Sequence, residues 1–492
     1  MNKDITLLLL ITALLMGCGS ASLTPPPTAT ATQTIAPSET PLPTQTAITI
    51  ATSYPPLQTD GPYLLYSMDW KTLTMLNADG KGRKQFQLPN KGFVRDLKKA
   101  VSPDGKWLAY YTGSSIEEPY DLALHILNLE AQTTIPIATL IAPGFPENLD
   151  PVKTSDPIEL EGCNSGPCRI SIIQLAFHEG IESMDWSPDS QALAFAAQID
   201  GPSSDVYLYE IQDKAIHRLV SDLENVWQID WSPNGKRILY QNSTAGVTYT
   251  SRYVYVVDPK NSATQSPKSI YGGLFWNKHG WIAEDLFLVS SGGEGAPPQN
   301  IRYINTDTQQ VTELWPDEAQ YVSIDPVKQQ IILARSGFDR PEVQGIYIVS
   351  TDGSYKKISE GFYYLFEKQD FSDLYFGLDG LANETYQLIG IRPDSSIISF
   401  SRRVSYDAPP QVSPDKKWIV ISDDKETEIY DAILNLINTI DLYAEEIIWT
   451  PDSTGVFLIN SGASYYLPIS NREPININLC DDCYPFDYVW LP

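Results

Sequence analysis

The chain has 492 residues, with 34 Lys and Arg against 61 Asp and Glu, four His, and a formal net charge of −27. That balance argues against nucleic acid or an anionic lipid surface as an electrostatic partner, because both reward clustered Lys and Arg. Tyr (28) and Trp (11) are abundant and Met (5) is scarce; with 30 Gly and 37 Pro the apolar residues come in short runs, which favours strands and turns over a helical bundle.

The first eighteen residues read as an export segment. Lys3 precedes an apolar run from Ile5 to Met16 that is too short for a lasting membrane span, and Leu15-Met16-Gly17-Cys18 follows. Those four residues resemble a bacterial lipobox, which implies cleavage before Cys18 and lipidation of Cys18; the alternative is an ordinary signal peptide with a chance cysteine. Two or more acyl chains on Cys18 would tether the protein to the outer face of a bacterial membrane, and the lipid would be its only membrane contact. Residues 18–59 are rich in Thr, Pro, Ala and Ser, as in Thr24-Pro25-Pro26-Pro27-Thr28, and hold almost no aromatic residues, too few to fold. Proline stiffens such a stretch toward about 3.1 Å per residue, so it could reach roughly 120 Å. Nothing after Cys18 offers the 18 consecutive apolar residues of a membrane-spanning helix.

From residue 60 onward the chain repeats itself. Met184-Asp185-Trp186-Ser187-Pro188-Asp189 recurs as Ile229-Asp230-Trp231-Ser232-Pro233-Asn234. Related turns are Ser102-Pro103-Asp104-Gly105-Lys106, Ser413-Pro414-Asp415-Lys416-Lys417 and Trp449-Thr450-Pro451-Asp452-Ser453, with Asp325-Pro326 a worn copy. Successive prolines lie 85, 45, 93, 88 and 37 residues apart, so the gaps near 90 each hide a copy; Trp276–Gly280 and Glu367–Asp370 sit where those copies are expected. Proline presets φ, Asp-Gly or Asn-Gly supplies positive φ, and a β-run such as Trp107–Tyr111 or Trp418–Ile421 follows each turn. A second hairpin completes most units, giving four antiparallel strands, a to d. The stretch Glu428–Leu442 has a helix-like apolar pattern, but β-branched residues prevail and Asn435 falls on a hairpin turn, so it reads as strands.

Four-stranded units at this period are β-propeller blades. The Ser-Pro-Asp-Gly-Lys turn with its aliphatic–aromatic strand resembles the TolB-type, WD-repeat-like propeller repeat of bacterial envelope proteins, over residues 60–492. The resemblance implies an all-β fold and says little about function, since such propellers host many roles. TolB-type proteins carry an N-terminal α/β domain and six blades; here a Thr/Pro-rich tether stands in that domain's place. Eight turn positions, and the hairpins of Tyr63–Leu88 paired with the C-terminal run Phe486–Trp490, predict one ring of about eight blades, within a range of seven to nine, closed by both termini. Closure removes open sheet edges. The repeat Trp residues are expected to fill space between blades and the repeat aspartates to stabilise turns.

Little in the sequence points to catalysis. No Gly-x-Ser-x-Gly elbow, P-loop or dinucleotide fingerprint occurs, so neither catalytic residues nor a cofactor is assigned. With Cys18 lipidated, four cysteines remain in two local pairs, Cys163 with Cys168 and Cys480 with Cys483. They read as disulfides of an oxidising compartment; a zinc site or a redox Cys-x-x-Cys is the alternative. His125 and His217, in c–d strand regions, read as structural, and no metal site is assigned.

Loop length says more. The a–b turns are tight, whereas the b–c loops Thr112–Asp121, Gln198–Asp205, Asn242–Arg252, Ser290–Gln299 and Ser336–Gly345 are long. An insertion over 141–180 joins strand d of one blade to strand a of the next, on the b–c side. One face is thus plain and the other elaborated, which points to a protein or glycan partner on the elaborated face, with Tyr120, Tyr249, Arg252 and Arg340 as anchors. The expected protein is a monomeric, exported binding or scaffold module. An enzyme of envelope glycans or peptides acting at the channel mouth, and a structural role in envelope assembly, are the alternatives.

Overall fold

The computed structural model describes residues 55–58, 60–67, 69–94, 96–113, 122–140, 184–197, 199, 205–220, 225–243, 251–261, 269–274, 276–291, 299–319, 321–335, 341–360, 364–365, 374–380, 386–404, 410–423, 425–460, 463–477, 479 and 487–492. Nine antiparallel sheets follow one another around a ring, and each is one blade. Blade 1 takes strand a from the C-terminus, Asp487–Leu491, and strands b to d from Tyr63–Ser67, Thr72–Asn77 and Arg83–Gln87. Blade 2 comprises Trp107–Thr112, Ala123–Asn128 and Thr133–Thr139. Blade 3 is Met184–Trp186, Ala192–Ala197, Asp205–Glu210 and Ala215–Val220; blade 4 is Asn225–Trp231, Ile238–Ser243, Ser251–Val257 and Ser269–Leu274. Blades 5 to 9 continue in the same order, from Trp276–Trp281 to Ile475–Asn476.

Nine lies at the top of the range expected from the repeats, for a topological reason. Eight blades have an a–b turn in sequence. In blade 1 the a–b connection is the gap between the two chain ends, so no turn motif marks it. Tyr63 pairs with Leu491 and Ser67 with Asp487, and a Cβ at Gly61 would lie 2.4 Å from the Pro492 carbonyl oxygen.

Middle strands are buried on both faces because each lies between two neighbouring blades. In Ala192–Ala197, Leu193 and Phe195 point into the core shared with blade 2, while Ala192, Ala194 and Ala196 leave room for Trp231 and Tyr240 of blade 4. Apolar clusters of this kind cross every junction of the ring. At the seam, Ile448, Phe457 and Ile459 of blade 9 pack on Leu64, Tyr66 and Leu76 of blade 1. Each such fully buried side chain contributes about 1.5–3 kcal/mol.

The Ser-Pro-Asp turn repeats in atomic detail. Ser102 Oγ donates to Asp104 Oδ1 (2.7 Å) and accepts from Trp107 N (2.9 Å); Ser187, Ser232, Ser413 and Thr450 do the same work in their blades. The residue after Asp or Asn is left-handed, with φ of 69° at Gly105 and Gly235 but also 61° at Ser190 and Ser453 and 60° at Lys416. Two of these serines have a second role: Ser190 Oγ accepts from Asp104 N and Ser453 Oγ from Asp415 N, each 2.9 Å, tying a turn to that of the preceding blade. The repeat tryptophans fill the junctions as expected and also bond across them. Trp186, Trp231 and Trp449 donate their indole N–H to the backbone carbonyls of Ala100, Asp185 and Gln411.

The structure departs from the sequence reading in several places. Trp276–Trp281 is strand a of blade 5, not the worn turn, which falls at Ile282–Asp285 instead. Blade 2 has three strands. Where its strand a would run, a helical turn, Leu97–Ala100, stands between two isolated bridges, Phe93 to Tyr111 and Val101 to Leu108. Glu428–Leu442 does form a hairpin, Thr427–Asp431 with Leu436–Ile440, turning at Asn435. Among the described residues, no helix is long and apolar enough to cross a membrane.

Candidate functional site

Strand a of every complete blade faces the ring axis, so polar side chains on these strands can converge there. They do so in blades 1 to 4. The helical turn of blade 2 presents Lys99, whose Nζ lies 2.9 Å from Asp230 Oδ1 of blade 4, 3.2 Å from Asp185 Oδ2 of blade 3, and 3.3 Å from the Ile229 carbonyl oxygen. Asp185 accepts in addition from Trp231 N at 2.7 Å. One ammonium thereby clasps three consecutive blades.

The electrostatics follow from burial. Lys99 and Asp185 keep 19% of their side-chain exposure and Asp230 6%. Burial alone would lower the Lys99 ammonium; the two carboxylates outweigh it and hold its pKa well above that of a free lysine. Burial pushes the Asp185 carboxyl up to about 6, with Asp230 adding to the rise and Lys99 opposing it. These aspartates were expected to brace turns. Asp189 does so, but Asp185 and Asp230, each four residues before the turn Asp or Asn of its motif, make the clasp instead.

The same turn is tied to blade 1. Asp96 caps it through Lys98 N and Lys99 N, Asp487 of the closing strand accepts from Leu97 N, and the Lys98 ammonium lies 5.2 Å from the centre of the Tyr488 ring. Burial raises the Asp487 carboxyl, the Leu97 amide opposes that, and Asp96 adds to it. Lys99, Asp185, Asp230, Asp96 and Asp487 each meet an opposite charge or a backbone donor, and these bonds hold the blades together. Among the described residues, no group of three or more His, Cys, Asp or Glu could hold a metal ion.

The histidines are structural where described. His125 stacks on Tyr110 at 5.3 Å and bonds Thr112 Oγ1 at 2.9 Å. His279 bonds Ser290 Oγ at 2.8 Å, and burial pushes its imidazole down to about 4. His217 sits at the surface, 3.3 Å from Glu210.

Of the sequence-predicted site residues, Tyr120, Tyr249, Arg340, Cys18, Cys163, Cys168, Cys480 and Cys483 lie outside the described residues. The backbone of Arg252 is described and corrects its assignment: it belongs to strand Ser251–Val257, paired with Ser243 and Gly273, rather than to a loop. Strand ends place the b–c connections at 113–122, 198–204, 244–250, 292–298 and 336–344 in blades 2 to 6, and at only 381–385, 423–426, 461–462 and 68–71 in blades 7, 8, 9 and 1. The long ones therefore occupy one arc. The connection 140–183 joins strand d of blade 2 to strand a of blade 3 in the same arc.

The opposite face receives the chain. Pro55 O accepts from Arg83 N (3.1 Å), and Gln58 N donates to Asn77 Oδ1 (3.1 Å), at the c–d turn of blade 1. Gly82 permits that approach, since a Cβ there would lie 2.5 Å from Pro56 O. This face is not uniformly plain. In blade 4 the c–d connection runs over 258–268, against 211–214 in blade 3 and 306–309 in blade 5. Beside it lies a cleft of about 410 Å³ between the turns of blades 3 and 4.

No family model and no curated protein matches the chain. It is similar to a solved structure described as the eukaryotic initiation factor, at a TM-score of 0.51 and 12% identity, over 88% of this chain and 99% of that one. It is also similar to TolB from Acinetobacter baumannii, at a TM-score of 0.31 and 18% identity over 60% of this chain and 62% of that one. With dipeptidyl peptidase 4 from Porphyromonas gingivalis the figures are 0.41 and 12%, over 74% and 54%. At such identities the first of these supports the propeller fold alone.

Proposed function

We propose that the protein is a lipid-anchored, exported propeller that captures a protein or glycan of the envelope or extracellular space on its b–c face. One observation carries this reading: the long connections of blades 2 to 6 and the 140–183 connection gather on one arc, on the face opposite the chain's entry at Pro55–Gln58. A partner approaching that arc meets several long connections, while the blades beneath supply the frame. The inner-ring charges of Lys99, Asp185 and Asp230 are engaged with one another, which supports binding over catalysis at the axis. Anchoring rests on Cys18, and the remaining cysteines pair as Cys163–Cys168 and Cys480–Cys483.

The test is capture from native envelope, comparing wild type with Tyr120→Ala, Tyr249→Ala, Arg252→Ala and Arg340→Ala. Each should weaken capture by about 1–2 kcal/mol with little change in melting temperature, as anchor residues at an interface do. Lys416→Ala, on the opposite face, is the control. Equal capture by all would move the site elsewhere, and turnover of a glycan or peptide would establish an enzyme instead. Cys18→Ala should release the protein or leave it uncleaved; a cleaved, membrane-bound variant would end the lipoprotein reading.

A further inference from the structure

We infer that the cleft between the turns of blades 3 and 4 is a second binding site, on the face opposite the long b–c connections, and that its ligand is an extended peptide segment bearing lysine or arginine. Its volume of about 410 Å³ falls in the range of ligand-binding clefts. The lining combines apolar and polar surface in the way such sites require. Pro188, Pro233 and Pro259 give it rigid apolar walls, and the largely buried Trp231 and Leu208 also line it, a surface suited to the aliphatic stems of long basic side chains.

Charge selects the ligand. Asp189, Glu210 and Asp213 line the cleft, Asp189 also bracing its turn and Glu210 also facing His217 at 3.3 Å, and Lys260 is the one basic residue in its lining. Neighbouring cations are drawn away: Lys236 Nζ lies 3.5 Å from Asp307 Oδ2 in blade 5, and Arg237 Nη1 3.1 Å from Asp258 Oδ2. Gln212 and Asn234 add amide groups that match a peptide backbone. The wall has a visible origin, since Pro259 and Lys260 open the lengthened c–d connection of blade 4.

Titration calorimetry of the full chain at low salt tests this with three probes: a capped decapeptide of alternating Lys and Pro, the same peptide with Gln for Lys, and chitohexaose. The Lys-Pro peptide should bind and the Gln-Pro peptide should bind at least tenfold more weakly. Asp213→Asn should weaken binding about threefold and Lys260→Glu tighten it about threefold, as solvent-facing charge pairs do. Glu473→Gln, an acid on the same face outside the cleft, should change nothing, and neither should Arg340→Ala, which separates this site from the proposed loop-face site. Preferential binding of chitohexaose, equal binding of the two peptides, no binding at millimolar concentration, or an equal effect of Glu473→Gln would each overturn the inference.

Discussion

Blades 2 and 3 adjoin one another and are held at the axis by different means. Blade 3 has a full inner strand, Met184–Trp186, paired along Leu193–Phe195. Blade 2 has lost that strand to a helical turn and keeps two isolated bridges. What it lacks in ladder bonds it recovers through Lys99, which reaches past blade 3 to Asp230 of blade 4. The contrast teaches that the inner strand of a blade is dispensable when another bond spans the junction. A ladder is local and neutral, however, whereas the clasp is charged and depends on three blades at once.

The largest break should come from Trp186→Ala. It empties the space of a side chain that is 3% exposed and removes the bond to Ala100 that joins blade 3 to blade 2, so chemical denaturation should show a loss of about 3–5 kcal/mol. Lys99→Met comes next. It leaves two carboxylates facing each other without their cation, at a cost of about 3 kcal/mol. Adding Asp185→Asn and Asp230→Asn to it should restore much of that loss, and a failure to do so would mean that the stem of Lys99, not its charge, holds the junction.

Acid sharpens the comparison. Asp185 has a folded-state value of about 6, above its unfolded value, so the native chain holds a proton there that the unfolded chain releases. Wild type should therefore lose stability relative to Asp185→Asn as pH rises from about 4 to about 6, and the difference should be flat above that. The Lys99 ammonium has the other sign of charge. Its stabilisation is full below the pKa of a free lysine and disappears only in more alkaline solution. Urea titrations at several pH values read both. The smallest effect is Ser190→Ala, which removes the acceptor for Asp104 N and should cost about 1 kcal/mol; Ser453→Ala should match it at the junction of blades 8 and 9.

The turn carboxylates resist acid, unlike Asp185. Burial raises Asp104, Asp415 and Asp452, but hydrogen bonds from Ser102, Ser413 and Thr450 and from the turn amides outweigh it and hold them below the ordinary carboxylate range. The same residue type in the same repeat thus titrates in opposite directions: burial, helped by Asp230, wins at Asp185, and the hydrogen-bond donors win in the turns.

The repeat alone determined the all-β fold, the tight turn with its bracing aspartate, and the β-run that follows each turn. Each depends on neighbours in sequence or on alternation along one strand, and periodicity records both. Tertiary structure decided the rest. The ninth blade has its a–b gap between the chain ends, where no turn can advertise it. Lys99 lies in a segment with no repeat signature, and its partners are 86 and 131 residues away, so nothing local marks it as the cation of Asp185 and Asp230. Arg252 looks like a loop residue until the pairing of Ser251–Val257 extends past it. The cleft beside Trp231 exists because two turns, each ordinary in sequence, are set side by side by the closure of the ring.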